Sequence, residues 1–121
     1  KLRQLNLSLN KFVGNIPFEF GQFQSLRSLD LCKNYLGGTI PATLGELKFL
    51  ETLNLSHNNL SGSIPSSFDD MFSLTSVAIS YNQLEGSLPS IPAFQKAPVE
   101  ALRNNKGLCG KFSGLEPCPT L

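Results

Sequence analysis

Residues 50–65 read LETLNLSHNNLSGSIP, and this segment holds most of the information about the fold of the 121-residue chain. It opens with leucines in the pattern Leu-x-x-Leu-x-Leu, and the alternation around the last two has the period of a short strand with one buried face. The leucines are followed first by Asn58, then by an apolar residue, then by Gly62 and finally by an Ile-Pro pair. Because proline excludes a helix interior and glycine permits turns, we expect an extended, edge-like stretch after the strand.

This pattern occurs four times along the chain, at a constant spacing and with no insertion. The aligned positions are the leucines Leu2, Leu26, Leu50 and Leu74, the asparagines Asn10, Asn34, Asn58 and Asn82, the glycines Gly14, Gly38, Gly62 and Gly86, and the prolines Pro17, Pro41, Pro65 and Pro89. One such 24-residue copy is too short to bury its own apolar face, whereas stacked copies share one continuous core. The repeat therefore predicts an elongated solenoid.

Each coil of this solenoid has a predicted inner and outer side. The strands should lie parallel and roughly 4.8 Å apart on the concave face. The outer side should be mostly 3-10 or irregular structure that buries Phe20 and Phe23, Leu44 and Leu47, and Phe68 and Met71. A side-chain amide carries both donors and an acceptor, so we expect a structural ladder of Asn10, Asn34, Asn58 and Asn82.

The composition argues against several classes of function. Ten Lys and Arg against nine Asp and Glu give a net charge of +1, which provides no electrostatic basis for binding nucleic acid or an anionic membrane. The cysteines Cys32, Cys109 and Cys118 and the single histidine, His57, lack the spacing of a zinc site. No phosphate-binding loop or kinase motif occurs. We therefore expect no metal, no cofactor and no catalytic residue, so this chain is not predicted to be an enzyme.

The repeat motif is similar to that of the plant-specific class of leucine-rich repeats, and residues 54–65 resemble the ectodomains of plant receptor-like kinases. The resemblance extends from Leu2 to Cys118. It implies an α/β-type solenoid, a right-handed superhelix with short parallel strands on the concave face. In that family a spacer, a single membrane helix and a cytosolic Ser/Thr kinase follow the ectodomain.

After Pro89 the repeat pattern stops. Residues 91–94, 104–110 and 117–119 resemble the cap that closes these ectodomains, and their sequence is similar to the group containing receptors for serine-rich endogenous peptides. We divide the chain into four repeats, 1–97, and a cap, 98–121. A bridge between Cys109 and Cys118 would close a loop of about ten residues and imply an oxidising compartment; two free buried thiols are the alternative.

The first residues enter a repeat directly, with no cap before Lys1. We therefore expect either part of a longer solenoid or a truncated gene product.

Variation at otherwise regular exposed positions identifies the candidate recognition face. Five columns of side chains should face the concave surface, among them a fourth column of Ser8, Cys32, Ser56 and Ser80. The first and fifth columns supply the candidate contacts Arg3, Arg27, Glu51, Lys33, His57 and Tyr81. Arg3 and Arg27 could together hold a carboxylate; alternatively, Arg27 simply pairs with Glu51 and the face is solvated.

Three Asn-x-Ser sequons are candidate glycosylation sites: Asn59, Asn54 and Asn6. We expect Asn59 to reach solvent beside the ladder, whereas Asn6 and Asn54 fall in the concave strands. The repeat consensus itself also generates such sequons, which is the alternative explanation for all three.

The resemblance implies an extracellular protein- or peptide-recognition module, the membrane-proximal part of a receptor-like kinase ectodomain. Its partners would be a peptide or protein ligand, a co-receptor ectodomain, or both, with no nucleic acid and no membrane contact by this segment. The expected location is the outer side of the plasma membrane, or the apoplast if secreted. Alternatives are a kinase-less receptor-like protein, a secreted inhibitor of cell-wall hydrolases, or a truncated decoy.

Overall fold

The computed structural model describes residues 1–110 and 115–119. Its strands are β1 (Gln4–Asn6), β2 (Val13–Asn15), β3 (Ser28–Asp30), β4 (Tyr35–Thr39), β5 (Thr52–Asn54), β6 (Asn59–Gly62), β7 (Ser76–Ala78), β8 (Gln83–Ser87) and β9 (Gly107–Cys109). One short helix, α1 (Pro92–Gln95), lies among the described residues, with 3-10 turns at Phe18–Gln22, Ala42–Glu46, Ser66–Asp70 and Val99–Ala101.

The first sheet has the order β1-β3-β5-β7, and all its strands are parallel. Equivalent residues of neighbouring coils lie opposite one another, as Leu29 does to Leu53 and Leu53 to Val77. The central residue of β3, β5 and β7 is buried and its two neighbours are more exposed, whereas the central residue of β1 is only partly buried. This arrangement confirms the strands and the register predicted from the leucine pattern.

A second parallel sheet, with the order β2-β4-β6-β8-β9, runs along the side of the coils. The sequence predicted only an extended, edge-like stretch here. Each proline comes after the strand, as Pro41 follows β4, so every ladder donor is retained. The register differs between the sheets, because Gly37 lies opposite Asn59 and not opposite Ser61, its equivalent in the next repeat.

The outer side of the first three repeats consists of the predicted 3-10 turns, each preceded by a repeat proline, whereas the fourth repeat has the helix α1 there instead. Leu44, Leu47, Phe68 and Met71 are buried in the core beneath these turns. Phe20 and Phe23 are only partly buried, because the first coil has a neighbour on one side only in the structure. No helix of the described residues is long and apolar enough to cross a bilayer.

The cap continues the solenoid by one shortened coil. Just before the cap, α1 of the fourth repeat buries Phe94 fully, with its ring centroid 6.5 Å from that of Phe68. The N–H groups of Ile79, Tyr81 and Asn82 donate to the carbonyls of Ala101, Arg103 and Asn104.

The constant spacing of the repeats ends after Pro89, but the contacts between neighbouring coils continue into the cap. Asn105 takes the ladder position after Asn82, one position earlier than the repeat period would place it, because the last repeat offers the same open backbone groups as the others. Cys109 and Cys118 form the disulfide. The division at residue 97 stays a prediction.

Candidate recognition surface

The ladder asparagines bind the backbone of two coils at once. Asn82 is buried; its Nδ2 donates to the carbonyl of Leu55 at 3.0 Å and to Ile79 at 3.2 Å, and its Oδ1 accepts the N–H of Leu60 at 2.9 Å. Asn34 and Asn58 make the equivalent bonds. The amide groups of these side chains are hydrogen-bonded to the backbone, so the asparagines have a structural role and are not available to a partner.

The residue before each ladder asparagine has a left-handed backbone. The φ angles of Leu9, Lys33, His57 and Tyr81 are 59°, 58°, 59° and 58°, and Asn104 in the cap has 63°. Coil-to-coil hydrogen bonds hold this conformation on both sides: the N–H of His57 donates to Ser80, and its carbonyl accepts from Asn34. Non-glycine residues adopt it at a cost of about 1–2 kcal/mol. The fifth column is therefore fixed in direction by the backbone.

Two rings of this column stack on each other, and a side chain of the cap lies beside them. The rings of His57 and Tyr81 lie 4.4 Å apart between centroids, with 13° between their planes. The guanidinium of Arg103 lies 6.0 Å from the Tyr81 centroid, within the range of a cation–π contact. Lys33, one coil before His57, is exposed. We call Lys33, His57, Tyr81 and Arg103 the lateral rim.

Arg103 could not be identified as a rim residue from the regular repeat pattern. The only sequence signal is the Asn104-Asn105 pair, which matches Tyr81-Asn82 when the repeat is shortened by a single position.

The first column contains an ion pair. Arg27 Nη1 lies 3.0 Å from Glu51 Oε2, and the two side chains are 52% and 49% exposed. The ion pair that was the alternative to carboxylate binding is thus present. Arg3 lies in the same open concave cleft. An exposed pair of this kind is worth at most about 1 kcal/mol. A ligand carboxylate could therefore displace Glu51 at little cost.

The fourth column does not face the concave surface as predicted. Ser56 and Ser80 are buried, at 7% and 5% exposure. Each inner strand has already ended at this point, and the chain is turning toward the ladder. The Ser56 N–H and hydroxyl both donate to Asn54 Oδ1, at 3.0 and 2.7 Å.

Cys32 occupies this column as a half-buried thiol. Burial raises the pKa of the Cys32 thiol above its ordinary value, and the neighbouring Asp30 carboxylate raises it further. The thiolate is the nucleophilic form, so these surroundings suppress its reactivity. Among residues 1–110 and 115–119, no group of three or more His, Cys, Asp or Glu side chains is placed to hold a metal ion.

Comparison with known families matches leucine-rich-repeat models to residues 24–84 and 1–23. This chain belongs to the leucine-rich-repeat family. No curated protein matches it by sequence.

Solved structures from Arabidopsis thaliana are similar over nearly the whole chain. The BIR2 ectodomain is 38% identical, with a TM-score of 0.84 over 96% of this chain and 60% of that one. The BIR3–SERK2 complex gives 39% identity and a TM-score of 0.85, covering 98% of this chain and 61% of that one.

The ectodomain of the plant membrane receptor kinase GASSHO1/SCHENGEN3, in complex with CASPARIAN STRIP INTEGRITY FACTOR 2, gives 45% identity and a TM-score of 0.85. The match covers 97% of this chain and 14% of that ectodomain. The chain thus spans about three fifths of the first two relatives and one seventh of the third. Its repeats are similar to those of the plant receptor ectodomains in these structures.

Proposed function

We propose that this chain is the membrane-proximal part of a plant receptor-like kinase ectodomain, where it recognises a peptide or protein ligand, a co-receptor ectodomain, or both. The observation that carries the proposal is the lateral rim, which crosses from the repeats into the cap. Two relatives support it: the SCHENGEN3 ectodomain is in complex with CASPARIAN STRIP INTEGRITY FACTOR 2, and BIR3 with SERK2.

The rim has the chemistry of a protein-binding surface. Tyrosine and arginine are enriched among residues that dominate binding energy, and Tyr81 and Arg103 are both exposed here. The left-handed backbone at His57 and Tyr81 and their mutual stacking restrict these side chains before a partner arrives. Such preorganisation lowers the entropic cost of binding.

The charge of the rim indicates the partner chemistry. Lys33 and Arg103 are cationic, and the stacked rings lie between them, whereas Glu46, Asp69 and Asp70 lie on the outer turns. A partner segment that combines carboxylates with flat apolar groups fits the rim and is repelled by the acidic outer turns. Arg3 and Arg27 in the concave cleft extend this preference for carboxylates.

The binding proposal can be tested with the SERK2 ectodomain as the probe. In the variant H57N/Y81N/R103Q, the new asparagines tolerate a left-handed backbone, so the fold is kept while the stack is lost. We expect biolayer interferometry to show binding by the wild-type chain and binding at least tenfold weaker by this variant. The outer-turn variant E46Q/D69N/D70N is the matched control and should bind like the wild type.

Two outcomes would contradict recognition of a co-receptor through the rim. One is equal affinity of the wild type and the rim variant. The other is no binding of SERK2 by the wild-type chain at concentrations where BIR3 binds.

The receptor-kinase context needs a separate test, because a kinase-less receptor-like protein and a secreted hydrolase inhibitor share these repeats. Sequencing the complete transcript distinguishes them. A membrane helix followed by kinase motifs downstream of Leu121 supports the proposal. A helix with a short tail, or a stop codon soon after the cap, overturns it in favour of the receptor-like protein or the inhibitor. The receptor group indicated by the cap, receptors for serine-rich endogenous peptides, stays a prediction.

A further inference from the structure

The three sequons of this chain lie in different surroundings. Asn59 begins β6 of the second sheet and is exposed. Within residues 1–110 and 115–119, its side chain makes no hydrogen bond. Asn54 ends β5 of the concave sheet and is partly buried, and Asn6 has the equivalent position in β1.

The surface beside Asn59 is open at the position paired with it in β4. Its cross-strand neighbour in β4 is Gly37, which has no side chain. Ser61, the residue that completes the sequon, is small and points to the same face two residues later. A sugar attached at Asn59 Nδ2 therefore breaks no hydrogen bond of the described residues and faces no side chain at the Gly37 position across the β4 pairing.

The concave sequons are constrained in ways that Asn59 is not. Asn54 lies in register between Asp30 and Ala78. Its Oδ1 accepts hydrogen bonds from the N–H and hydroxyl of Ser56 at 3.0 and 2.7 Å, which ties the side chain to the turn. Asn6 accepts the same two bonds from Ser8 at 3.0 and 2.6 Å. A glycan at Asn54 would have to be accommodated against the concave sheet.

We infer that Asn59 carries an N-linked glycan, which projects from the second sheet. In the transfer, a bond forms between Asn59 Nδ2 and the anomeric carbon of N-acetylglucosamine on a lipid-linked diphosphate oligosaccharide. The bond from that carbon to the diphosphate oxygen breaks, the lipid diphosphate leaves with the electron pair, and the amide loses one proton to a base. The inference requires only passage through a eukaryotic secretory pathway, with which the Cys109–Cys118 disulfide agrees.

Mass spectrometry of the chain secreted from plant cells behind a cleavable signal peptide tests this inference. We expect the peptide containing Asn59 to carry a hexosamine-based glycan that an N-glycosidase removes. N59Q and S61A should both lose that glycan. S61A keeps the asparagine and removes only the sequon hydroxyl, so a shared loss reflects recognition of the sequon and not a folding defect. N54Q is the matched control and should keep the glycan on Asn59.

A bare Asn59 in the secreted, disulfide-bonded protein overturns the inference, as does an unchanged glycopeptide in S61A. The SERK2 binding test changes His57, Tyr81 and Arg103 and leaves the Asn59 sequon intact. A loss of SERK2 binding and a missing glycan are therefore separate results.

Discussion

At the scale of single residues, neighbouring positions in one repeat have opposite roles. Asn58 is bound by the backbone of two coils, whereas His57 beside it projects from a fixed backbone into solvent. Repetition alone does not distinguish these roles, because both positions recur in every repeat. The difference lies in chemistry: the ladder position is always asparagine, and the position before it is Leu9, Lys33, His57 or Tyr81.

The loss of unfolding free energy on replacing a ladder asparagine should depend strongly on its position along the solenoid. Asn82→Ala leaves the Leu60 N–H and the Leu55 carbonyl without partners in a buried site, so it should cost about 2–4 kcal/mol of unfolding free energy. Asn10→Ala is the matched control, because Asn10 is exposed and its side chain, within the part of the chain that the structure describes, bonds only to Leu7 and Ser8 of its own coil. It should cost less than about 1 kcal/mol. Urea denaturation measures both, and equal losses would contradict the role of the ladder.

The Cys32 thiol predicts a pH-dependent labelling rate. Since burial and Asp30 raise its pKa, the thiolate fraction at a given pH is smaller than in the unfolded chain. Alkylation by iodoacetamide should therefore be slower in the folded protein, with its rate-against-pH curve displaced to higher pH. Asp30→Asn removes the charge but keeps an oxygen for the Cys32 N–H, and it should speed labelling. Coincident curves for folded and urea-unfolded protein would refute this explanation.

At the scale of elements, the sequence predicted the inner strands and outer turns but not the second sheet. Leu53 and Leu55 indicate an inner strand because apolar and polar residues alternate there in the sequence, and both leucines are buried. In contrast, Tyr35–Thr39 contains two glycines and pairs only because stacking brings β2 and β6 to its sides. Pairing between coils depends on how the coils stack, which local periodicity does not encode. The role of Arg103 in the rim could not be predicted for the same reason, because its position depends on the shortened cap coil.

The cap disulfide is predicted to stabilise the end of the solenoid. Cys109 lies in β9, which pairs with β8, and Gly110 donates to the carbonyl of Glu116 at 2.9 Å. Replacing Cys109 and Cys118 by serine should cost roughly 2–3 kcal/mol, because the closed loop is about ten residues long. Thermal unfolding measures this loss. Reductant should lower the melting temperature of the wild type and leave the double variant unchanged; an equal response of both proteins would argue against the bridge.

At the scale of the whole molecule, burial increases from the first coil inward. Leu5 and Leu7 are only partly buried, whereas Leu29, Leu31, Leu53 and Leu55 are at most 2% exposed. Contacts in a solenoid join neighbouring coils, so local opening should begin where one neighbour is missing. We expect amide hydrogen exchange in the free chain to be fastest in residues 1–23 and slowest in residues 50–84. Uniform exchange across the coils would contradict this gradient.

We propose that the chain recognises its partner through the lateral rim and the concave cleft. The decisive measurement is hydrogen–deuterium exchange followed by mass spectrometry, with and without saturating SERK2 ectodomain. We expect new protection in the peptides that carry the rim, residues 31–34, 55–58, 79–82 and 101–105. Exchange in the outer turns Ala42–Glu46 and Ser66–Asp70 should be unchanged. Protection confined to those outer turns, with none at the rim, would contradict recognition through the rim.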